Sequence, residues 1–260
     1  MNIRIKDYPL IKAIETGKPL ETLKADIKDP AFTKVASLIC DRWADISEAL
    51  FGNVFFLSAT YQKALGASWQ AFQKLITEDP EIGVSLLNNY DRLYISDVEG
   101  RLSFIVNCTI DGMAVIAEFT AEGIPLFMAV SLSQDGQSIH QWSTDGDYSC
   151  ECYLLQLLCM EEYAPVEERT VSPGQRIRPD FNRLDTIENK SKKGLKVHIR
   201  DSRWFTTIIR NEDFNVRGFF RLQPKKKDGE WTRELIYIKP FVKHGYHRTA
   251  DVNNINDNNN

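Results

Sequence analysis

At 260 residues, 43% hydrophobic and 26% charged, the chain has the make-up of a globular protein and enough length for a sizeable core. It has no apolar run near the ~18 residues of a membrane span, no secretory signal in MNIRIKDYPL, and five cysteines without framework spacing. That argues against membrane and disulfide-stapled classes and for a cytoplasmic protein with reduced thiols. The net charge of −4 conceals a polarity: residues 1–168 carry 12 Lys and Arg against 25 Asp and Glu, whereas residues 169–250 carry 20 against 9. Such asymmetry implies two lobes with different partners, or two halves that neutralise each other.

Residues 1–30 are polar and broken by Gly17-Lys18-Pro19 and Asp29-Pro30, which predicts a short helical arm and a loop. Phe32, Val35, Ile39, Trp43, Ile46 and Leu50 then recur at steps of three and four, one stripe of an amphipathic helix capped by Asp29 or Thr33 and closed by Phe51-Gly52-Asn53. A second helix is predicted from about Ala59 to Ile76, with Tyr61, Leu65, Trp69, Phe72 and Ile76 inward. Glu78-Asp79-Pro80-Glu81 opens a third, through Leu87, with acids well placed for the helix dipole. Residues 1–90 thus read as a helical layer, with Trp43 and Trp69 serving its core.

From Asp91 the period changes. Leu93-Tyr94-Ile95, Leu102 to Ile110, Met113 to Phe119, Leu126 to Leu132 and Ser138 to Trp142 are short β-prone runs. Turn signals separate them, and Asp111-Gly112 is the strongest. They predict a central antiparallel meander with Ile105, Val115, Ile116, Phe127 and Val130 in its core. Tyr148 to Tyr163 returns to a helix that is apolar nearly all round, as a helix buried between layers would be. Residues 91–164 are expected to share one domain.

Residues 165–194 are charged and loop-rich, and read as a linker or long connection into a basic module that ends near residue 250. Leu195 to Asp201 predicts a strand, and Trp204 to Arg210 a short helix or strand. Between Phe214 and Tyr246, Val216, Gly218, Phe220 and Leu222 alternate with Arg217, Phe219, Arg221 and Gln223, the period of a two-faced strand. Pro224 is expected to end that strand, Asp228-Gly229 to form the turn tip, and Leu235 to Phe241 to return. Gly218 predicts a bulge or a close backbone approach. The Asn-rich tail, residues 251–260, is expected to be disordered. The fold class is α+β: a helical layer, a central antiparallel meander and a basic C-terminal β-hairpin module.

Three chemistries are open to these residues. Cys150, Cys152 and Cys159 with His140 supply the donor types of a zinc site, but their spacing departs from the usual paired ligands. Cys152 and Cys159, seven apart on an apolar helix, read more simply as core. His198, His244 and His247, with Asp201 or Asp213, have the residue types for acid–base cleavage of a phosphodiester by a metal-independent ribonuclease, helped by Arg217 or Arg221. No nucleophile elbow, P-loop, HExxH or GxGxxG is present, so no cofactor is expected and the balance leans away from an enzyme. Third, the cations of the hairpin, Arg217, Arg221, Lys225, Lys226, Lys227, Arg233, Lys239, Lys243 and Arg248, are interleaved with Phe219, Trp231, Tyr237 and Tyr246. That mixture suits single-stranded RNA and equally an acidic peptide.

The run Phe214-x-Val216-Arg217-Gly218-x-Phe220-Arg221-Leu222-Gln223-Pro224, then Leu235-Ile236-Tyr237-Ile238-x-Pro240-Phe241 and Gly245-Tyr246, resembles a module of phage and mobile-element proteins. It looks like the C-terminal end of type V-A anti-CRISPR proteins. The likeness runs from about Leu154 to Ala250 and takes in Asn189-Lys190-Ser191 and Trp204; over the N-terminal half it is architectural only. The resemblance implies a non-enzymatic accessory protein that binds a host defence protein, or its nascent chain and messenger RNA, to counter defence. An RNA-binding regulator of translation is the alternative. In that reading Arg217, Gly218, Arg221 and Gln223 form the contact strand, Trp204, Tyr237 and Tyr246 pack around it, and Phe219, Lys225 and Arg233 complete the binding set. Where the module carries histidine after Arg-Gly, this chain has Phe219.

Overall fold

The computed structural model describes residues 2–243 apart from 26, 80, 99–100, 133–137, 148, 165, 178–185, 203–213, 217 and 228. Strand β1 (Asn2–Arg4) leads through a 3-10 turn into α1 (Pro9–Thr16), which opens on a proline whose missing N–H has no helical partner to lose. The next two helices, α2 (Pro30–Asp41) and α3 (Trp43–Phe51), replace the single helix that periodicity predicts. The break falls at Arg42, yet the stripe runs through it, and Phe32, Val35, Ile39, Trp43, Ile46 and Leu50 are all buried. Asp29 caps α2 as predicted: one carboxylate oxygen accepts from the backbone N–H of Ala31 (2.8 Å) and Phe32 (3.3 Å). The other accepts the indole N–H of Trp142 at 3.0 Å, tying the cap to a distant strand.

Strand β2 (Val54–Leu57) is not expected from periodicity. All four of its residues are buried because Val54 and Phe56 face one core while Phe55 and Leu57 face another. A central strand covered on both faces reads as a continuous apolar run without alternation. Helix α4 (Ala59–Glu78) is capped by Ser58 and buries Tyr61, Ala64, Leu65, Ser68, Phe72 and Leu75. Trp69 lies off that stripe and is 41% exposed, which corrects its expected place in the core. Ser68, one position back, takes the inward site, its hydroxyl donating to the Leu65 carbonyl at 2.7 Å.

After α5 (Glu81–Asn89) the meander appears as predicted: β3 (Arg92–Val98), β4 (Arg101–Ile110), β5 (Met113–Thr120), β6 (Pro125–Leu132) and β7 (Ser138–Ser143), each antiparallel to the next. Asp111 and Gly112 both have positive φ, 47° and 79°, as the tight hairpin between Ile110 and Met113 requires. Helix α6 (Ser149–Tyr163) buries residues around most of its circumference, in agreement with its composition.

The stretch read as loop-rich contains β8 (Val166–Val171), β9 (Arg176–Ile177) and β10 (Thr186–Glu188). With β11 (Val197–Ser202), an eight-stranded sheet forms in the order β7-β6-β5-β4-β3-β2-β11-β8. Strand β2 runs parallel to both neighbours, so the sheet is mixed around a dominant antiparallel meander. Strand β10 pairs with β1 and β9 in a small second sheet. One face of the large sheet packs with α1–α3 and the other with α4–α6, so the α+β fold has a core on each side. Strands β12 (Phe214–Val216), β13 (Phe219–Lys227), β14 (Glu230–Ile238) and β15 (Phe241–Lys243) form two further pairs, β12 with β15 and β13 with β14. Among the described residues no helix is long and apolar enough to cross a membrane.

Candidate functional site

The predicted hairpin is the β13–β14 ribbon, in register from Phe219↔Ile238 to Lys227↔Glu230. Alternation roots it. Phe220, Leu222, Leu235 and Tyr237 share one face and join the core built by α4 and α6. The Tyr237 ring meets Phe220 edge-on at 5.6 Å and Tyr163 at 5.4 Å, and the resulting loss of water pushes the Tyr163 hydroxyl up to about 12. Gly218 is a close approach, as its place in the strand predicts: a Cβ there would collide with the phenol of Tyr237. Lys239 adds a surface ion pair to Glu78 at the end of α4, at 2.7 Å.

Beyond this root the ribbon is uncovered. Every residue from Gln223 to Arg233 whose side chain is described is exposed, on both faces. Strand β13 continues through Pro224, which pairs with Arg233, to Lys227, three residues past its expected end. In a two-stranded ribbon every second N–H points away from the partner, which is where proline is tolerated.

Cross-strand register divides the expected binding set. Phe219, half-buried, lies on the outer face with exposed Arg221, Gln223 and Lys225, and Lys225 pairs with Glu234 on that face at 2.7 Å. Arg233 and Tyr237 belong to the opposite face, where Tyr237 packs against the core. Trp204, Arg217 and Tyr246 lie outside the described residues, as do Asp213, His244 and His247. The most exposed large hydrophobic side chain among the described residues of the ribbon is Trp231, 72% exposed and directly opposite Lys226.

The histidine reading meets a different geometry. His198 and Asp201 alternate to opposite faces of β11. Asp201 is bound by Arg169, whereas His198 stacks on Phe55 at 5.1 Å and its Nδ1 meets Glu168 at 2.7 Å and Thr170 at 3.2 Å. Around the same Phe55 ring sit the guanidinium groups of Arg92 (4.8 Å) and Arg200 (4.4 Å). Both arginines bind Glu161 of α6, which also accepts the Tyr94 hydroxyl, and Arg200 reaches Glu168 as well. Each acid here is held by a cation, so the cluster pins α6 to the sheet and presents no ready base. Sequence reasoning missed it because Arg92, Glu161 and Arg200 come from three remote segments; the available signal was an arginine in each of two strands, next to the apolar residues Leu93 and Ile199.

No protein-family model, curated protein or solved structure matches this chain.

The cysteines separate likewise. Cys150 and Cys159 are buried, their thiols pushed up by desolvation, Cys159 to about 12, while Cys152 is exposed. Among the described residues no three His, Cys, Asp or Glu side chains are grouped to hold a metal. Native protein treated with a thiol-reactive chromogen will therefore release one fast equivalent, from Cys152. Half-buried Cys40 will follow slowly, and Cys108, Cys150 and Cys159 only on unfolding. Peptide mapping of the first label checks the order. A cleft of about 1290 Å³ lies between the start of α6 and strands β3–β5, and its polar floor is internally bonded: Ser96 to the Tyr153 hydroxyl at 3.0 Å, Gln156 to Ser68 at 2.8 Å.

Proposed function

We propose that this chain is an accessory protein of a phage or other mobile element that counters host defence by binding, with the β13–β14 ribbon as its recognition element. Its partner is a host defence protein, met either folded or as its nascent chain and messenger. The observation that carries this reading is the ribbon itself: rooted in the α4–α6 core by Phe220, Leu235 and Tyr237, and bare on both faces from Gln223 to Arg233. A segment held that firmly at one end and covered by no described residue at the other is suited to meet another molecule. Hydrolysis is the weaker reading, since His198 is stacked and paired and lies across the strand from Asp201.

The test is made in a bacterium carrying an RNA-guided defence nuclease. The chain is expressed either intact or with residues 223–234 replaced by a two-residue turn, which keeps the root. The intact chain restores phage plating and lowers the amount of nuclease, and the shortened one does neither while melting at the same temperature. Equal protection by the shortened chain, or no effect of the intact one, overturns the proposal.

A further inference from the structure

The tip of the ribbon has one face unlike the other. With Phe220, Leu222, Leu235 and Tyr237 turned to the body, the same alternation places Pro224, Lys226, Trp231 and Arg233 further along that face. It carries two cations, a tryptophan and no acid. Both described acids of the ribbon, Glu230 and Glu234, lie on the other face, where Glu234 pairs with Lys225. A Trp that is 72% exposed beside Lys226 is not packing left over from the fold, because among the described residues nothing covers it.

We infer that this face is a site for a single-stranded polynucleotide, with Trp231 as the platform on which a base stacks and Lys226 as the contact to a flanking phosphate. The inference rests on the ribbon being the recognition element. Stacking on an exposed indole asks only for a flat base, and neighbouring cations supply the counter-charge a phosphate needs. Lys226 sits directly across from Trp231 on the same face, so it lies beside the ring. The acidic balance of residues 1–168 does not forbid this. Lys226 is four residues beyond Leu222, about 13 Å of extended strand, which exceeds the screening length of about 8 Å at physiological salt. The tip therefore meets a polyanion outside the field of the body.

The experiment uses fluorescein-labelled uridine and thymidine 12-mers, read by anisotropy against the full chain at low salt and along a salt series. Saturable binding is expected with either or both, and the pair shows whether ribose or deoxyribose is preferred. Trp231→Ala weakens binding about tenfold or more, the loss of one stacked base. Lys226→Ala weakens it and reduces the salt slope by nearly one phosphate, whereas Arg221→Ala on the other face changes little. Unchanged melting temperatures are expected because these side chains are exposed. Failure of both oligonucleotides to bind overturns the inference, as does undiminished binding by Trp231→Ala or displacement by polyglutamate as effective as by unlabelled oligonucleotide. Those results would leave the host-defence reading to its own test: loss of protection on shortening the ribbon keeps it, and retained protection removes it whatever the oligonucleotides do.

Discussion

Glu161→Gln lowers the stability of this protein by about 3–5 kcal/mol, the largest effect expected of any single polar substitution here. Its side chain is 7% exposed and stands between Arg92 and Arg200, whose side chains are 18% and 12% exposed. Glutamine keeps the size and some of the hydrogen bonds but removes the charge that both arginines bind. Glu168 still reaches Arg200, so Arg92 is the cation left with least compensation. The Tyr94 hydroxyl, fully buried and with its proton held more tightly by desolvation, loses a charged acceptor too. For a chain of this size the loss corresponds to a fall in Tm of about 10 °C. Glu168→Gln is the internal comparison: its side chain is 38% exposed and its loss is expected to stay below about 1 kcal/mol. Urea melts of the two variants decide the matter. Equal and small effects would mean that water reaches the Arg92–Glu161–Arg200 cluster and that it does not pin α6. Removing the charges together, by Arg92→Met, Glu161→Leu and Arg200→Met, is expected to cost less than Glu161→Gln alone, because no charge is then left buried without its partner.

That cluster also marks the limit of what sequence pattern reveals. The five strands of the meander were legible because each has a solvent-facing period or a sharp turn beside it, as at Asp111-Gly112. Strand β2 was not, since four apolar residues buried on both faces carry no period at all. Strand β8 was hidden for the opposite reason: Val166-Glu167-Glu168-Arg169-Thr170-Val171 is an edge strand, where charge is tolerated and protects against pairing with another chain. Trp69 shows how one residue of phase, 100° around a helix, moves a tryptophan from core to rim. In the candidate site, the two faces of β13 followed from its own alternation, but the face of each β14 residue depends on register. Register runs from Phe219↔Ile238 to Lys227↔Glu230, and only pairing Pro224 with Arg233 shows that Arg233 and Arg221 point opposite ways.

Phe220→Ala is the second large effect, and it tests how the ribbon is held. Phe220 is 2% exposed and packs with Tyr237 and the α4–α6 core, so the truncation costs about 3–5 kcal/mol in transfer and cavity terms. The loss is expected to fall unevenly. Among the described residues the ribbon pairs with no strand of the eight-stranded sheet, so weakening its root frees β13–β14 at a lower free energy than the sheet needs to open. Amide hydrogen exchange will show this as lost protection across residues 219–238 while β4, β5 and β6 stay slow. Trp231→Ala, by contrast, removes an exposed ring and leaves exchange unchanged along the whole ribbon. If the proposed reading holds, both variants lose protection in host cells, one by releasing the ribbon and the other by blunting its tip. If Phe220→Ala instead speeds exchange in β4–β6 as much as in the ribbon, the two unfold together. The ribbon is then a structural brace of the α4–α6 core, and the proposed recognition falls to its exposed tip alone.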